Sequence, residues 1–374
     1  MITVKAVGSK REQKAFVDYP VKLYKDNPCF VPPLYMDEMK MFRKDFVYND
    51  TCETAFFNAY DEQGEMVGRI AGILQKAANE KNHEKRVRFS RIDGIDDPEV
   101  FKALLGAVEG WAKEKGMDTV VGPLSFSDLE REGLLIEGFD QPSTFEEQHN
   151  APYYQKHIEA AGYVKEVDWT ESRLYAPEEE DPELQKTCDF IMKRYRLHFG
   201  TAKNVNEFLD KYADGFFEIL DHTYEGVYGT VPFTPGMKKL MIDNFRLIID
   251  MEHVMVLLDE NERIICFAIC FPGIGEAVRK SRGHLTPAGI VRILRARSHS
   301  RVLDLGLMGV EEDWMNRGVP VIFVNEMLKA LRSGKIDVCE TNLNLEDNYA
   351  IRNMWKRFKA VENKRRRAFV KKIQ

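Results

Sequence analysis

A chain of 374 residues, 44% hydrophobic and 30% charged, is long enough for more than one folded core and too apolar to be disordered. Its net charge of −6 excludes a global basic field for nucleic acid, and no apolar run reaches the roughly 18 residues of a membrane-spanning helix. The six cysteines, Cys29, Cys52, Cys188, Cys266, Cys270 and Cys339, form no CxxC pair, which argues against a metal centre and against a disulfide framework. With an N-terminus lacking the apolar core of a secretory signal, this gives the expectation of a reduced, cytoplasmic protein.

In chain order, an opening strand and an amphipathic helix in REQKAFVDYPVKLYKDN precede the hairpin AYDEQGEMVGRIAGIL, whose acidic-polar turn separates two runs of strand formers. DDPEVFKALLGAVEGWAKEKGMDTVVGPLSF reads as helix then strand, with Pro98 near the helix start, where proline is tolerated. NAPYYQKHIEAAGYVKEVDWTESRLYA follows as a helix of about three turns capped by Asn150, then a closing strand. The acid- and proline-rich APEEEDPELQ reads as a linker over residues 176–184.

Beyond it the order recurs. Amphipathic helices in VNEFLDKYADGFFEILDHTYEG lead to the hairpin LLDENERIICFAICFP and a strand over Leu307–Val310. VPVIFVNEMLKALRSGKIDVCETNLNL gives helix and strand, with Gly334 ending the helix. NYAIRNMWKRFKAVENKRRRAFVKKI gives an Asn348-capped helix and a closing strand. Asp61 and Asp259 in the two hairpin turns lie 198 residues apart, and so do Asn150 and Asn348. Two equal offsets at distant places mark a duplication, with halves at 1–176 and 185–374. Mostly antiparallel strands with a parallel crossover through the central helix make a mixed α/β sheet of the α+β type.

Two segments concentrate positive charge. From Arg279 to Arg301 there are seven Lys or Arg and no acid, and KRRRAFVKK closes the chain. Within the first, Ile290, Ile293 and Leu294 recur at helical spacing opposite Arg292, Arg295 and Arg297, which predicts a short amphipathic basic helix near the mouth of any site built on the next strand. A solvated face is the alternative for each cluster.

The stretches GPLSFSDLEREGLLIEGFD, NAPYYQKHIEAAGY, GHLTPAGIVRILRARSHSRVLDLGLMGV, NRG and CETNLNLEDN resemble the GNAT (acyl-CoA N-acyltransferase) superfamily, and in particular bacterial proteins with two tandem GNAT-like domains. The resemblance covers nearly the whole chain. It implies an N-acyltransferase taking acetyl-CoA or another acyl-CoA, or an acyl-carrier protein, as donor and a small-molecule amine as acceptor. It also implies a donor site in the second half: Met308 and Val310 on the strand, then a pyrophosphate loop in which Met315, Gly318 and Pro320 stand at the signature positions. Gly318 alone keeps the signature, Arg317 could bond a phosphate, and Val319 opens the helix. Glu340 and Glu311 are the candidate bases. Asn348 caps the helix beside the donor, and Trp355 stands where the superfamily carries a proton-donating tyrosine, although an indole is no acid near neutral pH.

In the first half Asp93, Asp96 and Asp97 would repel a pyrophosphate, so that half is expected to lack a donor site. Asn150, Tyr153, Tyr154 and His157 could line a substrate site there, or form a capped and packed helix. A catalytically inactive ligand-binding protein of the same fold is the alternative to the enzyme. Nucleic-acid binding through the basic segments is the weakest reading.

Overall fold

Two aspartates make the same turn. Asp61 Oδ1 accepts the N–H groups of Gln63 and Glu65 at 2.9 and 2.8 Å, and Asp259 Oδ1 accepts those of Asn261 and Arg263 at 2.8 and 3.0 Å. A side-chain oxygen that takes backbone N–H groups in this way fixes a tight turn. Its recurrence 198 residues later is the repeat expressed as local chemistry.

In the computed structural model, which describes residues 1–224 and 226–373, these turns close two equivalent hairpins. The strands are β1 (Thr3–Ala6), β2 (Cys52–Tyr60), β3 (Met66–Gln75), β4 (Arg86–Gly94), β5 (Thr119–Gly122), β6 (Leu134–Glu137) and β7 (Val164–Tyr175) in the first half. In the second they are β8 (His198–Phe199), β9 (Val254–Leu258), β10 (Ile264–Pro272), β11 (Val302–Val310), β12 (Val338–Glu340), β13 (Asn344–Leu345) and β14 (Lys359–Lys372). They join in one mixed sheet of order β1-β2-β3-β4-β5-β14-β7-β12-β11-β10-β9-β8, with β6 on β14 and β13 on β7.

The order is symmetric about its centre because the halves exchange their last strands. β14 lies against β5 of the first half, and β7 lies against β12 of the second. The exchanged strands then pair with each other, Asp168 facing Arg367 and Trp169 facing Arg366. With the offset of 198, these two pairings are images of one another, so a pseudo-twofold axis passes between them.

Helix starts repeat one device. Asp97, Asp181, Thr234 and Thr286 each cap a helix whose first residue is proline, a position where the missing N–H costs nothing and φ is already helical. The second of these helices starts at Pro182, so the expected linker shortens to the residues between Tyr175 and Asp181. Asn348 caps its helix, Tyr349–Trp355, by accepting from the Ile351 N–H at 3.2 Å. Asn150 does not. Its helix, Tyr153–Ala160, starts at Pro152, and the Asn150 amide instead exchanges bonds of 2.7 and 3.0 Å with the backbone of Leu135. Both helices are about two turns long rather than three.

The basic C-terminal run is no surface cluster. Lys364 and Arg366 are fully buried on β14 and meet Glu171 of β7 at 2.7 and 2.6 Å. On the other face Arg367 grips Asp168 with bonds of 2.7 and 2.9 Å. Burial alone would raise the Glu171 carboxyl, but Arg366 and Lys364 beside it hold it below the ordinary value. The apolar cores also cross the repeat: Phe16, Tyr48, Phe56 and Phe126 share a cluster with Val231 and Met237.

Glu171→Ala leaves two buried cations with less compensating charge. It should cost about 3–5 kcal/mol of stability, read as a lowered denaturant midpoint for the whole chain. Breaking an exposed pair such as Arg43–Asp45 should leave the denaturant midpoint essentially unchanged.

Candidate functional site

The site grows from a fork in the second half of the sheet. β11 and β12 pair in parallel only from Val302–Asp304 to Val338–Glu340. β12 then ends, while β11 continues along β10 to Val310. The edge of β11 from Leu305 to Val310 is left facing a cavity of about 1000 Å³. At the vertex the register slips: Ile269 faces Leu307 and Cys270 faces Leu305, leaving Gly306 as a bulge. A Cβ there would lie 2.2 Å from the Phe271 ring and 2.9 Å from the Ile269 carbonyl, so only glycine fits. The Met308 carbonyl on the free edge accepts from the Tyr224 hydroxyl at 3.3 Å. In a strand the N–H and C=O of one residue point to the same side, so the Met308 N–H is directed there too.

The opposite wall comes from the first half. Asp128, Glu130, Glu132, Glu146 and Glu147 line the cavity from the long connections around β6, with apolar groups such as Phe145 and Trp169 between them. Arg131 braces this wall by donating to the carbonyls of Val31 and Phe145 at 3.1 and 2.6 Å. Burial pushes Asp128 up to about 6, Glu146 to about 7 and Glu147 to about 8, the last against the pull of Arg366. It raises Glu132 well above the carboxylate range. Glu132 and Glu147 are each 4% exposed, and neither Oε2 has a hydrogen-bond partner among the described residues; nor does the Tyr228 hydroxyl beside them. Glu147 Oε2 lies 3.6 Å from Arg366. Glu146 reaches the fork itself, accepting from Asn342 just past β12 at 3.4 Å. At the vertex, burial with Glu340 and Glu146 nearby pushes Asp304 up to about 8.

Of the residues singled out in the sequence, Met308, Val310, Glu311, Met315, Asn348 and Trp355 line this cavity. The Trp355 indole N–H donates to Asn344 at 3.2 Å, and Glu311 pairs with Arg263 at 3.0 Å. Glu340 lies outside the lining, held by Arg173 at 2.6 Å and Lys364 at 3.4 Å. Arg317, Gly318 and Val319 also stand apart. Val319 is buried in the core, and Arg317 lies 4.5 Å from the Trp314 ring.

The loop before that helix suits a pyrophosphate poorly. Pro320 has no N–H, and the Val321 N–H is already given to the Gly318 carbonyl at 3.0 Å. Glu312 and Asp313 occupy the same loop and line the cavity. Gly318 has a φ of +83°, and a Cβ there would lie 2.9 Å from the Ile191 side chain.

In the first half the equivalent fork is filled. β4 and β5 part after Arg88 and Val121. Tyr153 donates to the Gly94 carbonyl at 2.8 Å, and the Tyr154 hydroxyl takes the Gly94 N–H at 3.1 Å. Asp93 is buried against Arg69 at 2.8 Å, Asp96 holds His157 at 2.6 Å, and Asp97 is a helix cap. The four polar residues around Asn150 thus brace the fold at this place.

The acid wall was not singled out in the sequence. The signal was present: DLERE and FEEQHN put five acids in long connections without hydrophobic period, where segments of such length tend to be functional.

No family model matches this chain. It is 30% identical over 382 residues to Protein YghO of Escherichia coli (strain K12), spanning 99% of this chain and 95% of that protein. It is 27% identical over 300 residues to the bacterial ceramide synthase of Caulobacter vibrioides (strain NA1000 / CB15N), spanning 78% and 76%. Among solved structures, a tandem GNAT protein from the clavulanic acid biosynthesis pathway superposes with a TM-score of 0.56 at 11% identity, over 100% of this chain and 98% of that one. The fold is the tandem GNAT fold expected from the sequence.

The raised carboxyls set a pH dependence. Their folded values lie above the unfolded ones, so the folded state binds more protons between about pH 4 and pH 8, and stability falls as pH rises through that window. The denaturant midpoint should be lower at about pH 8.5 than at about pH 5.5. Asp304→Asn should flatten part of that fall, because its amide no longer has a proton to lose.

Proposed function

As a member of the family of Protein YghO, this chain is, we propose, an acyltransferase that moves an acyl group from a thioester, on coenzyme A or a carrier protein, to the amine of an acceptor bearing a long apolar chain. The observation that carries this reading is the pairing of a free strand edge with a wall of buried acids, whose Glu132 and Glu147 Oε2 atoms have no hydrogen bond among the described residues, across one largely apolar cavity. A protonated amine gives those two oxygens the hydrogen-bond donor they lack, and the surrounding apolar wall suits a hydrocarbon chain. The likeness to a bacterial ceramide synthase supports the same class, since a ceramide is the amide of a long-chain amino alcohol.

In this reading the acceptor enters as an ammonium, and Glu146, poised near neutrality, takes one proton. The neutral nitrogen attacks the thioester carbonyl beside Gly306, and the Met308 N–H receives the developing oxyanion. Collapse breaks the carbon–sulfur bond. The Tyr224 hydroxyl, kept protonated because burial pushes it up to about 12, lies at the same place to protonate the leaving sulfur. Glu146 passes its first proton to solvent, and the second proton shed by the amide-forming nitrogen returns through it to Tyr224. The poor pyrophosphate loop supports a donor held mainly by its acyl arm along β11. The filled fork of the first half supports one reaction centre, with the first half supplying the proton acceptor.

The test is thiol release from a long-chain acyl thioester in the presence of a long-chain primary amine. The wild type should release thiol and form the amide. Glu146→Gln should lower kcat/KM about 100-fold or more and abolish the acid limb of its pH profile. Glu340→Gln should act through stability instead. Ligand binding without any thiol release would establish the inactive alternative.

A further inference from the structure

The basic helix expected near Ile290 forms over Pro287–His299. Only Gly289 and Ile293 are buried. Ile290, Val291 and Leu294 are 39, 64 and 40% exposed, and with exposed Pro287 they form a continuous outward stripe at positions i, i+3, i+4 and i+7. Exposed Arg292 and Arg295 run beside that stripe. No acidic side chain lies within 4 Å of Arg279, Arg282, Arg292 or Arg295 among the described residues, whereas Lys280 and Arg301 do have acidic partners. Arg297 is turned inward, donating to the Leu247 carbonyl at 3.3 Å.

A surface helix in a globular protein normally turns its apolar stripe inward. Here an outward apolar stripe flanked by unpaired arginines occurs within a chain of net charge −6. We propose that this helix, with Arg279 and Arg282 before it, is an interfacial element that lies on an anionic lipid bilayer, its apolar stripe among the acyl chains and its arginines on the phosphates. Charge decides the occupant: Arg279, Arg282, Arg292 and Arg295, without an acidic partner among the described residues, complement an anionic plane, and the exposed stripe exceeds what a purely electrostatic partner needs.

The helix is also tied to the cavity on two sides. Leu247, which holds Arg297, lines it. The Tyr35 N–H donates to the Gly283 carbonyl at 2.9 Å, and the Tyr35 ring stacks on His284, so the approach to the helix sits on the Pro33–Leu34 wall. A chain docked in this way would hold its cavity against the bilayer, the phase in which long-chain amphiphiles reside.

Vesicle sedimentation of the full chain tests the proposal without any turnover. The protein should sediment with phosphatidylcholine vesicles containing one third phosphatidylglycerol, and not with phosphatidylcholine alone. Raised salt should weaken the association. Arg292→Gln with Arg295→Gln should weaken it about 30-fold, taking roughly five-fold per cation near an anionic surface. Val291→Ser with Leu294→Ser should weaken it as well while leaving the salt dependence in place. All four side chains are exposed, and an unchanged denaturant midpoint will confirm that the variants fold. Equal binding to both vesicle types, variants that bind like the wild type, or capture of an acidic carrier protein by the same arginines without vesicle binding would overturn the proposal. A chain that binds vesicles but releases no thiol leaves it standing and removes only the proposed activity.

Discussion

Everything in this molecule depends on two strands that each leave their own half. β7 and β14 cross the repeat and pair with each other, and the buried charges between them hold the register. A slip of one residue would turn Lys364 and Arg366 away from Glu171 and onto the other face. Arg366 does more than neutralise Glu171. It also donates to the Gln148 carbonyl and lies near Glu147, so a residue from the end of the chain fixes the acid-bearing loop of the first half. The exchange that joins the halves is therefore also what places one half's carboxyls across from the other half's open strand edge.

The duplicated forks show how one architecture takes two roles. Both parallel pairs part after three residues. In the first half aromatic side chains and a buried arginine–carboxylate pair fill the opening, with Tyr153 and Tyr154 satisfying the backbone of Gly94. In the second the opening stays, because a glycine bulge turns the strand and the chain after β12 swings away to pair with β7. One copy contributes rigidity and acid groups, the other the exposed backbone edge.

The fold was legible where chemistry is local. The paired aspartate turns and the helix started by Pro98 lie in short segments and survive in the structure. The cap expected at Asn150 does not, and the helix at Pro182 lies where a linker was expected. Strand exchange was not legible, because the last strand of a half pairs as well with either copy of its neighbour and only tertiary context chooses. For the same reason KRRRAFVKK read as a surface cluster: its compensating acids lie almost two hundred residues away in the sequence. Within the site, Met308, Val310 and Asn348 were expected only through the resemblance to the GNAT superfamily, and they line the cavity. Glu146 and Glu147 were not singled out, since they belong to the first half and line the cavity from across the interface. Glu340 drew attention by its position on a strand, but its neighbours Arg173 and Lys364, both brought by the exchanged strands, commit it to an ion pair.

The central claim is that one cavity is built jointly by the acid wall of the first half and the free edge of β11. A photoreactive long-chain primary amine, cross-linked to the intact protein and mapped by peptide mass spectrometry, tests it most directly. The account predicts adducts in both the Asp128–Glu147 segment and the Leu305–Met308 segment, with both lost together when an unlabelled long-chain amine competes. Adducts confined to one half, or to surface residues that competition does not clear, would contradict it.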